Sequence, residues 1–386
     1  MVIAGEASGD ALASELVLAL SEECGPEKRP VFFGAGGEKM AAAGVELLSD
    51  LASHAVVGMI EVVKNYGRYR RIFAQLLAAT AARKPAVIIL VDFSGFNRRF
   101  ASAVRDLSRR PGSAWNLRIV YYVSPQVWAS RPGRARTLER DIDLLLAIFP
   151  FEKAWYEAHA PKLRVEFVGH PLVSRYADFA ERIHPKLDIP SIPSILLLPG
   201  SRKGELTRHL PILLEAAVAI EGMKTARWIM VLPDAQLLAL AKEMVGKVPL
   251  DIRLQIGGLG EALLEADLAM ASTGTVTMEC AFFRVPTVTL YKTSWSTYQI
   301  GRRIIQVRFL TMPNLLADEE VFPEFVQHDA TSARIAGAAI DLLDDRQRRA
   351  DVQEKLARII STLGPPVAAR RAAQHILNLV PALKSG

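Results

Sequence analysis

The chain has 386 residues, half of them apolar and 23% charged, which suits a packed globular protein of two domains better than one core. Its formal charge of +6 is compatible with a phosphorylated ligand, an anionic membrane surface or nucleic acid. No apolar run approaches the roughly 18 residues of a membrane span, so the chain is not expected to cross a membrane.

Met1 leads straight into a short strand, Val2-Ile3-Ala4, with no basic leader or cleavage site, which argues for a cytoplasmic protein. Strands near 1–4, 31–34, 86–92, 117–124, 143–149 and 164–169 alternate with helical patterns. One of these helices is Ala11–Glu23, with Leu12, Leu16 and Leu20 on one face. In the second half, strands near 194–199, 228–232, 252–256, 267–272 and 286–291 alternate in the same way. Two doubly wound parallel sheets of the α/β class follow. The change-over falls near Gly169-His170-Pro171 and the stretch Pro185–Pro193, giving domains at 1–172 and 173–345. Residues 346–386 are helical with a break at Pro365-Pro366. Cys24 and Cys280 lie in different domains, so neither a disulfide framework nor a metal cluster is suggested. Ligands of such sheets bind outside the carboxyl ends of the strands, so the strand-to-helix turns carry the chemistry, in a cleft between two facing domains.

The first turn, Gly5-Glu6-Ala7-Ser8-Gly9-Asp10, is not a dinucleotide fingerprint, and no acidic residue ends the next strand. A nicotinamide enzyme is therefore disfavoured. Ser8 and Asp10 suit a helix N-terminus, whereas Glu6 is not needed for capping and is the functional candidate. Asp92 ends an apolar strand, where a carboxylate serves as a general base or caps the next helix, and both readings stay open. In the second half, Leu198-Pro-Gly200-Ser201-Arg202 and Thr273-Gly274-Thr275 combine glycine, hydroxyls and a guanidinium, as a diphosphate requires. Glu279 is suited to accept from a ribose hydroxyl. Asp141-Ile-Asp143 starts a strand, away from those turns, and reads as a structural turn, so no metal is expected.

Arginines are dense between Arg98 and Arg140 but have few interleaved aromatics and no nucleic-acid motif, which leaves nucleic acid the weakest partner. Residues 56–73 mix Met59, Ile60, Val62, Val63, Tyr66, Tyr69, Ile72 and Phe73 with Lys64, Arg68, Arg70 and Arg71. That mixture suits either an interfacial helix on acidic lipid or a core-facing helix with a solvated basic face.

The serial motifs carry the chain further. Gly5-Glu6-Ala7-Ser8-Gly9-Asp10, Asp92-x-x-Gly95-Phe96-Asn97, Tyr122-Val-Ser-Pro-Gln-Val-Trp128, Arg131-Pro-Gly-Arg134, Phe149-Pro-Phe-Glu152, Val168-Gly-His-Pro171, Leu198-Pro-Gly-Ser-Arg202 and Pro313-Asn-Leu-Leu-Ala317 with Pro323-Glu-Phe-Val-Gln327 run in order. Together they resemble the lipid-A-disaccharide synthase family. The resemblance implies a metal-independent, inverting glycosyltransferase of the two-Rossmann (GT-B) type, peripheral on the inner face of the inner membrane. It would move 2,3-diacylglucosamine from UDP to 2,3-diacylglucosamine 1-phosphate, with the UDP-sugar as donor substrate and no other cofactor. By position it implies Asp92 as base, Glu6 as the acidic residue of the first loop, Arg202 as a critical cation and Asn314 near the nucleotide. It also implies that 56–73 face lipid and that the terminal helices pack back on the first domain. A homodimer is known in the family, but the sequence does not reveal one.

Three positions depart from the family pattern: Ser94 replaces a proline, Ser130 a tryptophan and Ser174 an aspartate. They bear on acyl preference more than on reaction type. The alternatives are another UDP-sugar transferase acting on a membrane lipid, such as the peptidoglycan glucosaminyltransferase, and a non-catalytic nucleotide-binding protein docked on membranes.

Overall fold

The computed structural model describes residues 1–25, 30–51, 66–112 and 114–380, with the side chains of Tyr66, Ser296 and Ile300 outside the description. The chain divides into two compact units, Met1–Ser174 with Leu363–Gly386, and Arg175–Thr362.

Unit 1 is built on seven strands: β1 (Val2–Ala4), β2 (Phe33–Gly36), β3 (Glu46–Asp50), β4 (Val87–Val91), β5 (Arg118–Tyr122), β6 (Leu144–Ala147) and β7 (Val165–Phe167). All pair in parallel in the order β3-β2-β1-β4-β5-β6-β7. Its helices are α1 (Ala7–Cys24), α2 (Glu38–Ala42), α3 (Tyr66–Arg83), α4 (Ser94–Ser108), α5 (Val127–Ser130), α6 (Ala135–Asp141), α7 (Pro150–His159) and α8 (Pro171–Arg175). β1, β4 and β6 are buried along their whole length, because a central parallel strand is covered on both faces and must be continuously apolar.

Unit 2 repeats the scheme with β8 (Ser194–Leu198), β9 (Arg227–Leu232), β10 (Ile252–Ile256), β11 (Leu268–Ser272), β12 (Thr287–Tyr291) and β13 (Glu324–Val326), in the order β10-β9-β8-β11-β12-β13. Its helices are α9 (Lys203–Glu221), α10 (Ala235–Val245), α11 (Leu259–Glu265), α12 (Val276–Phe282), α13 (Trp295–Ile304), α14 (Met312–Ala317), α15 (Ser332–Asp344) and α16 (Arg346–Thr362). α17 (Ala368–Leu379) closes the chain. Each sheet reverses its strand order once, between β1 and β4 in unit 1 and between β8 and β11 in unit 2. Those reversals are the topological switch points at which open α/β sheets take ligands.

Four expectations are amended. The edge strands β3 and β13 go unseen in the sequence because Glu46–Asp50 is half exposed and polar at both ends, and Glu324–Val326 is three residues long. The second strand begins at Phe33, with Val31 84% exposed. The terminal helices do not act together: α16 packs within unit 2 through Val352, Leu356 and Ile359, and only α17 lies against α1. The separation falls at Gly364, whose φ of 83° ends the helix ahead of Pro365-Pro366. Finally, Ser8 is exposed inside the first turn of α1, and the cap position is Glu6, with no side-chain capping bond.

Asp10 has a different task. Its buried carboxylate accepts from the backbone N–H groups of Gly37 (2.7 Å), Lys39 (3.0 Å) and Met40 (3.2 Å), capping the N-terminus of α2 from a neighbouring helix. Asp10→Ala leaves those donors unpaired and is expected to lower the unfolding free energy by about 2 kcal/mol, read as a denaturant midpoint moved down at constant slope. An unmoved midpoint would show that the cap is dispensable.

Candidate active site

At the switch point of unit 1 the backbone is strained. Asp92 (φ 48°) and Phe93 (φ 46°) both adopt the left-handed region, which non-glycine residues rarely enter. A clamp holds them there. The Asn97 amide, fully buried, donates to the carbonyls of Val91 (3.1 Å) and Asp92 (2.9 Å), and the Tyr121 hydroxyl donates to the Asp92 carbonyl at 2.5 Å. The Asp92 N–H is bonded to the Tyr122 carbonyl at 3.0 Å, extending the sheet one residue past β4. Burial, reinforced by the charge of Asp92, raises the Tyr121 phenol well above its ordinary range and keeps its proton available for this bond. Asp92 itself is half-buried.

Glycines bring the first loop alongside. A Cβ on Gly5 would lie 2.1 Å from the Phe93 ring, and one on Gly9 would lie 4.0 Å from the Asp92 Cβ. The Glu6 loop and the Asp92 turn are therefore in contact, as adjacency of β1 and β4 demands. Glu6 is half-buried at the cap of α1, its carbonyl accepting from the Asp10 N–H at 2.8 Å.

The next strand end is strained in the same sense. Val123 follows β5 at φ 65°, a costly value for a β-branched residue. A buried polar network supports the loop beyond it: Ser124 and Tyr156 share a hydrogen bond of 3.0 Å, and Tyr156 donates to the Pro125 carbonyl at 3.1 Å. The fully buried Glu152 accepts from Trp128 Nε1 (3.1 Å) and from the backbone N–H groups of Ile148 (3.2 Å) and Phe149 (3.0 Å). Burial pushes its carboxyl up to about 7 in spite of these donors.

The expected lipid-facing stretch is only partly described. Met59, Ile60, Val62 and Val63, with the side chain of Tyr66, lie outside the described residues. Of the rest, Ile72 belongs to the core and Tyr69 and Phe73 pack against it, Phe73 meeting Phe96 and Phe100 edge-on at 5.4 and 5.5 Å. Ile72 is thus buried, a correction to its placement on the surface, while Tyr69 and Phe73 are half-buried and Arg70 and Arg71 are exposed. Asp141 and Asp143 are structural: Arg140 grips the first carboxylate, and Arg105 (2.5 Å) and the Ile119 N–H (2.7 Å) hold the second.

In unit 2 the two expected turns flank the switch point. Gly200 sits at φ 121°, where a Cβ would strike Glu205 and approach Ser272 Oγ to 3.3 Å, so the β8 and β11 loops touch there. Glu205 reaches back to the Ser201 N–H (3.2 Å) and to Arg202 (3.4 Å), and Arg202 occupies the cap position of α9 with its side chain half exposed. Thr273, Gly274 and Thr275 lead into α12, and Thr277 Oγ1 donates to the Gly274 carbonyl at 2.7 Å. Glu279 is engaged by the Tyr176 hydroxyl at 2.9 Å and by Arg175 at 3.8 Å, and burial raises its carboxyl. Asn314 is fully buried and fully used: Oδ1 accepts from the N–H groups of Val321 and Phe322, and Nδ2 donates to the Phe322 carbonyl and to Glu324. It shapes the 314–324 loop instead of offering an atom to a ligand.

Sequence reasoning missed three residues that fix these loops. His209 is buried and joins the Pro199 carbonyl (3.0 Å) to Lys292 after β12 (N–H at 3.0 Å); burial lowers its proton affinity and favours the neutral ring. Gln327 binds the backbone of Thr293 from the end of β13, and Glu324 gathers the N–H groups of Leu310 and Thr311. The signal available for Glu324 and Gln327 was their place in a quoted motif, and for His209 there was none.

Glu152 gives a pH test. The unfolded chain releases this proton near pH 4.5 and the folded chain near pH 7, so its contribution is full below about 4.5 and falls as pH rises to about 7, by up to about 3 kcal/mol. Glu152→Gln, neutral throughout, is expected to flatten that part of the stability curve measured by denaturant titration. An unchanged slope would mean Glu152 titrates normally in the fold. Asn97→Ala is expected to cost about 1–3 kcal/mol of stability by removing the amide donor from the Val91 carbonyl and leaving the Asp92 carbonyl to Tyr121 alone, and a cost below a few tenths would remove the clamp from this account.

A family model described as lipid-A-disaccharide synthetase matches residues 1–378. The lipid-A-disaccharide synthase of Myxococcus xanthus (strain DK1622) is 36% identical over 395 residues, covering 99% of this chain and 97% of its own. That of Syntrophus aciditrophicus (strain SB) is 34% identical over 385 residues, covering 98% and 97%. Among solved structures, a putative UDP-N-acetylglucosamine 2-epimerase from Listeria monocytogenes aligns with a TM-score of 0.61 at 13% identity, over 99% of this chain and 96% of that one. MurG from Acinetobacter baumannii aligns with a TM-score of 0.53 at 15% identity, over 96% of both. At such identities the structures share the fold alone. The near end-to-end match to the family model and to relatives more than a third identical places the chain in the lipid-A-disaccharide synthase family of glycosyltransferases.

Proposed function

We propose that the chain transfers 2,3-diacylglucosamine from UDP to the 6-hydroxyl of 2,3-diacylglucosamine 1-phosphate, giving a β-1,6-linked disaccharide 1-phosphate and UDP. The observation that carries this reading is the clamped turn of Asp92, a carboxylate set on strained backbone at a switch point within a chain of this family. In it, Asp92 takes the proton from the attacking hydroxyl, and configuration at the anomeric carbon inverts. Glu6, on the adjoining loop, shares the acceptor side.

Charge develops on the departing diphosphate, so the donor side needs fixed positive ends. Arg202, with Gly200, Ser201, Thr273, Gly274 and Thr275, supplies a guanidinium, backbone N–H groups and hydroxyls for that purpose. These groups do a metal's work, and no cofactor beyond the donor is invoked. Glu279 takes the ribose, and Asn314 acts by shaping the neighbouring loop. The protein then works peripherally at an anionic inner-membrane surface, with Arg70 and Arg71 among the cations available to lipid phosphates. No described helix is long and apolar enough to cross a membrane. A homodimer rests on resemblance alone.

The test is formation of disaccharide and UDP from the two acylated substrates. Asp92→Asn is expected to lower kcat about 10²- to 10⁴-fold with UDP affinity unchanged. Arg202→Ala is expected to lower kcat about 10- to 10³-fold, and a chelator to leave the rate unchanged. Near-normal turnover by the Asp92 variant would assign the base elsewhere.

A further inference from the structure

The arginines of the α4–α6 layer fall into two sets. Arg105 donates to the Asp141 carbonyl and pairs with Asp143, Arg109 donates to the Arg140 carbonyl, Arg118 reaches Asp143, Arg136 reaches Glu139, and Arg140 grips Asp141. Each of these has a structural oxygen partner. Arg98, Arg99, Arg131 and Arg134 have no carboxylate within ion-pair distance among the described residues, although each is close enough to others of the four to feel their charge.

Helix geometry explains why they gather. Arg105 fastens the carboxyl end of α4 to the carboxyl end of α6. Arg98 precedes Arg105 by seven residues and Arg134 precedes Asp141 by seven, so both stand about 10 Å back along paired helices, at the same level. Arg99 follows Arg98, and Arg131 opens the 3₁₀ turn Pro132–Arg134. That level is the amino-terminal edge of the helices, hence the carboxyl edge of the strands, the edge that carries Asp92. Arg98 lies one turn into α4, holds Ser94 Oγ at 3.2 Å, and acts electrostatically on Tyr121, whose hydroxyl binds the Asp92 carbonyl. Burial first, and then the positive charge of the other arginines, loosens the protons of Arg98 and Arg134. Four like charges gathered at the strand edge that carries Asp92, with no carboxylate in ion-pair distance among the described residues, suit an anion, and arginine forks match the oxygens of a phosphomonoester.

We propose that Arg98, Arg99, Arg131 and Arg134 form the subsite for the acceptor's phosphomonoester, while Asp92 receives its hydroxyl proton. This rests on the assignment of unit 1 to the acceptor. The acceptor carries its phosphate on C1 and its attacking hydroxyl on C6, on either side of the ring oxygen, so cations set a short way from the base fix which hydroxyl is presented. The same chemistry would suit phospholipid head groups, and the experiment separates the two sources.

Initial rates are measured at saturating donor for the wild type and for R131Q/R134Q, with the acylated acceptor bearing its 1-phosphate and with the same acceptor dephosphorylated. Binding to phosphatidylcholine vesicles with and without phosphatidylglycerol is measured in parallel. The proposal expects the variant to raise KM for the phosphorylated acceptor about tenfold to hundredfold, with the dephosphorylated acceptor, UDP affinity and vesicle binding unmoved. Equal losses on both acceptors, no loss on either, or loss of vesicle binding without loss of acceptor discrimination would each overturn it. Absence of disaccharide with the wild type would instead overturn the acceptor assignment beneath it. Should the glutamine variant misfold, R131K/R134K keeps charge but not the fork, and is expected to show a smaller KM rise confined to the phosphorylated acceptor; a rise shared by both acceptors would count against the subsite.

Discussion

The clamp on the β4 carbonyls is the constraint from which the rest of unit 1's site follows. Two consecutive left-handed residues cost roughly 1–3 kcal/mol each, and they persist because the Asn97 amide and the Tyr121 hydroxyl close on the carbonyls that the turn exposes. Strain maintained in this way has an obvious product: a carboxylate lifted from the end of a strand at the point where the strand order reverses. Phe93 completes the arrangement by lying over Gly5, where no side chain fits, so the first loop and the Asp92 turn cannot move independently.

Unit 2 solves a different problem. In the proposed function its turns present N–H groups and a guanidinium to an anion, and such turns are soft unless held from behind. His209 ties the β8 loop to the backbone after β12, Gln327 ties that backbone to the end of β13, and Glu324 with Asn314 secures the segment in between. In that reading the groups that face the ligand are few, and the groups that aim them, such as His209 and Asn314, are buried and hydrogen-bonded. That division explains why Asn314, placed near the nucleotide by resemblance, contributes through loop shape.

Much of this was legible in the sequence. Central parallel strands must be apolar throughout, so eleven of the thirteen described strands and both doubly wound sheets could be read from runs such as Val87–Val91 and Ile195–Leu198. Of the four edge strands, β3 and β13 escaped, the first because it is half exposed with polar ends and the second because it is three residues long. Turn residues were visible through glycine, hydroxyl and charge. Their supports were not: a histidine inside an apolar helix and a glutamate on an edge strand gain meaning only from partners 83 and 13 residues away. The basic, aromatic helix α3 is the reverse case, since its pattern fits both a lipid surface and a core, and Ile72 and Phe73 lie against the core.

The central claim is that Asp92 is the group aimed at the acceptor. A crystal structure of the protein with the acceptor lipid and UDP tests it most directly. The account predicts an Asp92 carboxylate oxygen within about 3 Å of the acceptor's 6-hydroxyl. A 6-hydroxyl bonded instead to Glu6 or another carboxylate, with Asp92 turned away, would contradict it.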